Sequence, residues 1–326
     1  PRFDGQPLQL SIDLTVQSAL EEALYGGMRL MNAKGASAVL MDAYSGEIVS
    51  LSSLPDFDPN NRPRPLTRGD ASDSALFNRA VQGVYELGSA FKAFTVAQAM
   101  DLDLVEPDSI VDTKGPLRWG KHKISDYRDY GAQMSVEKVL IKSSNIGTAR
   151  LSLMIGADLQ KDFLDRLGLL QATPIEVIEG PTGRPQYPSN WSDISTMTIS
   201  YGHGISTSPV HLAAGYAVMV NGGTLVKPTV LKQPSVPLGE RIISEETSRH
   251  LRGIMRRVVT EGTARMGDVP GYSVAGKTGT ADKPSPQGGY YSDKVLATFA
   301  SFFPSTDPRY VLIVTLDEPE DRTGPE

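Results

Sequence analysis

Apolar residues recur every three or four positions at Val16, Leu20, Leu24, Met28 and Met31, and the pattern stops at Gly35. That period predicts an amphipathic helix, with Asp13 placed to cap it. Two strand-like runs follow, 38–41 and 47–51, joined by Ala43-Tyr44-Ser45-Gly46, and they predict a hairpin. Residues 54–70 are dense in Pro, Asn, Asp and Arg and predict a long surface loop. Residues 91–100 are apolar on nearly every side, the mark of a buried helix. A further helix is predicted to begin near Ser135, and helical spacing resumes over 146–155 after a break at Ser143-Ser144-Asn145. A loop is expected at 180–188. Helical and Gly-rich character alternate over 191–204 and 210–220. Leu251, Ile254, Met255 and Val258 mark another amphipathic helix, with Ser244 as cap and Gly262 as end.

Toward the C-terminus the period changes. Residues 272–280, 295–303 and 310–316 read as strands, and the turn 304–308 makes the last two an antiparallel pair. Strands at both ends with helices between them predict an α+β fold. Its antiparallel sheet is built from both chain ends and flanked by helices, with an inserted helical lobe. No internal repeat or low-complexity segment interrupts the chain.

A length of 326 residues is compatible with one large domain or two. Because the patterns at the two ends look incomplete alone, a single domain over 1–326 is expected. The 32 basic and 38 acidic residues give a net charge of −6 with no basic block, which sets nucleic-acid binding aside. No apolar run approaches the roughly 18 residues of a membrane-spanning helix. The opening PRFDGQPLQL lacks the charged start and apolar core of a signal peptide. A cytoplasmic protein or an excised domain is therefore expected. With no cysteine, disulfides, thiolate metal sites and a cysteine nucleophile are excluded. The four histidines include no ligand-spaced pair, so a zinc enzyme is not expected.

Three short segments could carry chemistry. In Ser89-Ala90-Phe91-Lys92, a helix starting at Gly88-Ser89 would set the hydroxyl and the amine one turn apart on one face. The serine would then lie at the positive end of the helix dipole, and the lysine, among Phe91, Phe94 and Val96, would lose proton affinity by desolvation. A hydroxyl with a base in reach is an activated nucleophile. The same pattern recurs at Ser135-Val136-Glu137-Lys138, where the acid would keep the lysine charged and the serine reads as a helix cap. Ser143-Ser144-Asn145 could aim a hydroxyl and an amide into a cleft, or could simply cap a helix. Lys277-Thr278-Gly279-Thr280 lies on a predicted strand. There Gly279 signals either a close approach to the backbone or a bulge on a solvated edge.

Taken in order, Ser-x-x-Lys, Ser-x-Asn and Lys-Thr-Gly are the active-site set of the penicillin-recognising serine acyltransferases. Essentially the whole chain resembles the transpeptidase domain of class B penicillin-binding proteins. The resemblance runs through LSIDLTVQ (10–17), GSAFKAF (88–94), KSSNIGTA (142–149), SYGHGISTSPVHLAAGYAVMVNGG (200–223), EGTA (261–264), AGKTGTA (275–281) and VTLDEP (314–319). WSDI at 191–194 is most similar to the septal, cell-division branch, penicillin-binding protein 3, with the elongation branch, penicillin-binding protein 2, as the competing resemblance.

The resemblance implies Ser89 as the acylated nucleophile and Lys92 as its base, with Ser143 relaying a proton and Asn145 bonding the substrate amide. Lys277, a catalytic residue, and Thr278 would help hold the proton network and the substrate or penicillin carboxylate. Thr278, Gly279 and Thr280 would bind substrate, and the Ser89 and Thr280 N–H groups would form an oxyanion hole. It further implies a peptidoglycan D,D-transpeptidase that acts on D-Ala-D-Ala stem peptides, needs no cofactor and is acylated by β-lactam antibiotics. In the full-length protein it implies the periplasmic face of the bacterial inner membrane, with a membrane glycosyltransferase and other divisome proteins as partners. The family's N-terminal anchor, pedestal domain and final C-terminal helix are expected to be absent from this chain. A β-lactamase would share the acylation step but needs a water-activating base, for which Glu176 and Glu179 are the candidates in the right interval. A D,D-carboxypeptidase and a non-enzymatic penicillin sensor share the motif set.

Overall fold

The computed structural model describes residues 5–173 and 175–320. The expected domain over 1–326 runs at each end into residues outside this range. Asp13 caps α1 (Leu14–Leu30) through Thr15 and Val16 N–H, as its spacing predicts. The hairpin follows as β1 (Gly35–Asp42) and β2 (Ile48–Leu54). Asp42 accepts from Tyr44 and Ser45 N–H, and Gly46 takes the left-handed conformation that closes the turn. After the long loop, α2 (Lys92–Asp101) is buried over nearly all its length.

The middle of the chain departs from the expected run of helices. Two small ribbons intervene, β3 (Ile110–Asp112) with β6 (Gln133–Ser135), and β4 (Leu117–Trp119) with β5 (His122–Ile124). Three-residue strands carry no readable period, so the pattern could not announce them. Helices α3 (Val136–Ile141), α4 (Asn145–Ile155), α5 (Ala157–Arg166), α6 (Asp193–Ser200), α7 (Pro209–Val220) and α8 (Glu245–Glu261) complete the lobe. Ser244 and Gly262 bound α8 as expected.

The C-terminal strands are β7 (Ala275–Pro284), β8 (Tyr290–Phe303) and β9 (Tyr310–Asp317). β7 begins three residues later than the sequence suggests and runs on past Thr280. β8 starts earlier than expected, so the two form a long hairpin that is irregular near Asp282 and Pro284. The sheet order is β2-β1-β9-β8-β7, antiparallel throughout, so both chain ends build it. Lys277, Ala300, Ile313 and Val39 stand in one cross-strand row. Their face meets α7 and α8 and the main apolar core. Ala38 and Val314 stand in the adjacent row, and their face meets Leu20, Leu24 and Met28 of α1. Lys277 thus points where an apolar residue belongs, and this position on β7 is what buries its ammonium.

Candidate active site

Ser89 does not begin an α-helix. Gly88–Phe91 is a 3-10 turn and α2 starts at Lys92, so Ser89 sits, half-buried, on the turn ahead of the helix. The cause lies in the backbone. Gly88 is left-handed, and a Cβ there would overlap the Thr280 carbonyl. A Cβ on Gly279 would likewise strike the Leu87 carbonyl. The close approach signalled by Gly279 is therefore the nucleophile turn itself, pressed against edge strand β7 with no side chain between. From the helical side, the Tyr216 hydroxyl donates to the Ala90 carbonyl at 2.8 Å, and Phe94 stacks edge-on between Phe91 and Tyr216.

Lys92 and Lys277 are both fully buried and both reach Ser143. Lys92 Nζ donates to the Ser143 carbonyl at 2.5 Å and to its hydroxyl at 3.0 Å. Lys277 Nζ donates to the same hydroxyl at 2.9 Å and to the Thr278 carbonyl at 3.0 Å. Ser143 holds a left-handed conformation that non-glycine residues rarely adopt, and this points its hydroxyl between the two amines. Burial lowers the Lys92 pKa well below the usual lysine range, the Lys277 charge lowers it further, and Asp126 partly opposes both. Burial pushes Lys277 down to about 7. Two desolvated amines sharing one hydroxyl resist carrying charge together, so a neutral amine is available near neutrality.

Ser144 caps α4 by accepting from Gly147 N–H, while the Asn145 amide donates to the Ser125 carbonyl at 3.0 Å. The capping reading holds for Ser144, while Ser143 turns its hydroxyl to the two lysines and Asn145 its amide to Ser125. Asp126 was not legible in the sequence. Its carboxylate accepts from Asn145 N, Ile146 N and the Ser144 hydroxyl, and so fixes the start of α4 from a loop remote in the chain. A cavity of about 460 Å3, lined in part by Ser125, Asp126, Tyr130 and Ile146, opens beside it. Thr263, in the EGTA stretch just past α8, carries no signal of its own in the sequence. Its hydroxyl lies 3.0 Å from that of Thr278.

The second Ser-x-x-Lys pattern is scattered. Ser135 occupies the N-cap position of α3 without a capping hydrogen bond, which corrects the expected cap. Lys138 is exposed, and Glu137 pairs with Arg257 at 2.6 Å instead of with Lys138. Glu176 accepts from the Thr229 hydroxyl and Val230 N–H, which commits its carboxylate to tying its loop to that distant segment.

A five-stranded antiparallel sheet backed by a helical lobe, with a serine turn and two lysines where they meet, defines the penicillin-recognising class of fold. The comparisons narrow it. The family model described as "Penicillin binding protein transpeptidase domain" matches residues 36–325. The chain is 37% identical over 97% of its length to a probable peptidoglycan D,D-transpeptidase FtsI of Caulobacter vibrioides, covering 54% of that protein. It is 32% identical over 96% of its length to the peptidoglycan D,D-transpeptidase FtsI of Escherichia coli K12, covering 52% of it. Among solved structures, the TP domain of Burkholderia pseudomallei penicillin-binding protein 3 superposes with a TM-score of 0.85 at 32% identity, over 98% of this chain and 90% of that one. The chain belongs to the penicillin-binding-protein transpeptidase family. It spans about half the length of the curated relatives it matches.

Proposed function

We propose that the chain is the catalytic domain of a peptidoglycan D,D-transpeptidase that works through an acyl-enzyme on Ser89. The observation that carries this reading is the Ser143 hydroxyl held 3.0 and 2.9 Å from two buried amines, Lys92 and Lys277. In the proposed step, neutral Lys92 takes the Ser89 proton as Oγ attacks the penultimate D-Ala carbonyl of a stem peptide. The oxyanion is held by the Ser89 and Thr280 N–H groups, whose chain segments are in backbone contact through Gly88. The proton passes through Ser143 to the departing D-Ala amine as the peptide bond breaks. Asn145 bonds the substrate amide, and Lys277, Thr278 and Thr280 receive the carboxylate. An amine of a neighbouring stem peptide then attacks the acyl-enzyme, forming the cross-link and freeing Ser89.

A β-lactam enters the same step, and its tethered remnant obstructs the second amine. Of the two candidate deacylating bases, Glu176 is bound to Thr229 and Val230 of a distant segment, and Glu179 has no family context for that role. Incubation with a fluorescent penicillin, washout and mass spectrometry test the reading. One added drug mass per chain that persists for minutes to hours and vanishes in Ser89→Ala is expected. Recovery of free enzyme within seconds, with steady drug hydrolysis, would make the protein a β-lactamase instead.

The same reading puts the full-length protein at the periplasmic face of the inner membrane, where stem peptides are cross-linked, beside a membrane glycosyltransferase and other divisome proteins. The septal assignment is supported by the WSDI resemblance at 191–194. A chimera carrying this chain in place of a septal relative's transpeptidase domain tests it, since support of elongation but not of division would reverse the assignment. Among the described residues no helix is long and apolar enough to cross a membrane.

A further inference from the structure

Three backbone segments meet at the nucleophile turn through glycine alone. Gly88 touches Thr280 of β7, Gly279 touches Leu87, and a Cβ on Gly202 would overlap the Gly88 carbonyl. Such contacts carry no interlocking side chains, and the backbone pair Tyr85–Thr207 holds only two of the three segments in register. Glu86, three residues before Ser89, is buried in the midst of them. Its Oε1 accepts from Gly204 N–H at 2.9 Å, two residues beyond Gly202, and from the Tyr290 hydroxyl at 2.9 Å. Tyr290 opens β8 and pairs with Pro284 of β7, four residues beyond Thr280. The other oxygen, Oε2, lies 3.2 Å from His203 Nδ1 and has no hydrogen-bond donor among the described residues. His203 in turn stacks edge-on against Tyr201 and Tyr290. One carboxylate therefore binds the Gly202–Gly204 segment directly and reaches β7 through Tyr290 of its hairpin partner β8.

We propose that Glu86 is a positioning residue for acylation, holding the Tyr201–His203–Gly204 turn and the β7–β8 hairpin against the Ser89 turn and so fixing the gap between the Ser89 and Thr280 N–H groups. The proposal rests on the acyl-enzyme reading given above. It assigns Glu86 no contact with substrate. Glu86 acts through the backbone it holds, and the cost of loosening it falls on the chemical step more than on drug capture.

The test is stopped-flow acylation of the full chain by a fluorescent penicillin, separating the acylation rate constant from the initial dissociation constant. Glu86→Ala should lower the rate constant by about 100-fold, the scale of a misplaced oxyanion donor, with the dissociation constant changed by less than about threefold. Glu86→Gln should recover most of the rate, because its amide oxygen still accepts from Gly204 N–H and the Tyr290 hydroxyl. Tyr290→Phe, which removes one tie and no bulk, should slow acylation by about 10-fold. Circular dichroism and thermal unfolding establish that each variant is folded. Should Glu86→Ala not fold, Tyr290→Phe and Glu86→Gln carry the test alone. A folded Glu86→Ala within about twofold of the unaltered rate overturns the proposal. So does a Tyr290→Phe that acylates at the unaltered rate. If the unaltered chain takes up no drug at all, the acyl-enzyme reading itself has failed, an outcome separate from either of these.

Discussion

Lys92 and Lys277 bring two ammonium groups into a core where neither forms an ion pair among the described residues. Such burial costs several kcal/mol per charge unless the group gives up its proton. Lys92→Met should abolish acylation and leave the circular dichroism spectrum unchanged, since an apolar chain of similar length fills the space. Lys138→Ala, in the scattered copy of the motif, should acylate at the unaltered rate in the same assay. Lys277 titrates at about 7 in the fold against 10.5 for an exposed lysine. The unfolded chain therefore binds more protons between those values, and the fold gains stability as pH rises through that window. Below the window the whole penalty remains. Lys277→Met should accordingly raise the unfolding midpoint most at about pH 6, with the gain shrinking toward about pH 10. A gain independent of pH would show that Lys277 is not the titrating group. The sequence made both lysines legible because each stood at a motif position, Lys92 among apolar neighbours as well. It could not make Asp126 or Glu86 legible, since their partners are backbone N–H groups and hydroxyls outside any local pattern.

At the scale of elements, two helices could be bounded from the caps their sequences announced. Asp13 and Ser244 cap α1 and α8 where the spacing put them. The Ser89 turn was misread as α-helix because its conformation is set by β7, a strand nearly two hundred residues away in sequence. The start of α4 is the element on which the site most depends. Asp126 supplies acceptors there for two backbone N–H groups and one hydroxyl. Asp126→Ala should cost about 1–2 kcal/mol in urea unfolding, the range of a lost N-cap. Acylation should slow as well, since Ser143 and Asn145 are carried by that helix start. An unchanged urea midpoint would mean that Ser144 alone suffices as the cap.

For the molecule as a whole, one buried charge cluster joins the chain ends. Arg79 and Asp317 are each about 1% exposed and lie 3.3 Å apart, and Lys283 of β7 reaches the other Asp317 oxygen at 2.8 Å. Asp317→Ala leaves buried Arg79 without its carboxylate, while Lys283 keeps Glu318 at 2.7 Å, and should lower stability by about 3–5 kcal/mol in chemical denaturation. A smaller loss, near that of an exposed pair, would show that water enters the cluster. The overall architecture was legible because alternation at both ends and a helical period between them leave few topologies. The strand order was not, since sequence alone does not say which end strand lies innermost. β9, the last strand described, is flanked by β1 and β8, so the earliest strands have no finished partner until it arrives. Until residues 310–317 are in place the hairpin β1–β2 must wait, one edge bare, while the helical lobe, β7 and β8 are added. The unfinished chain is thus exposed to wrong strand pairing throughout that interval. The window closes only when β9 has emerged.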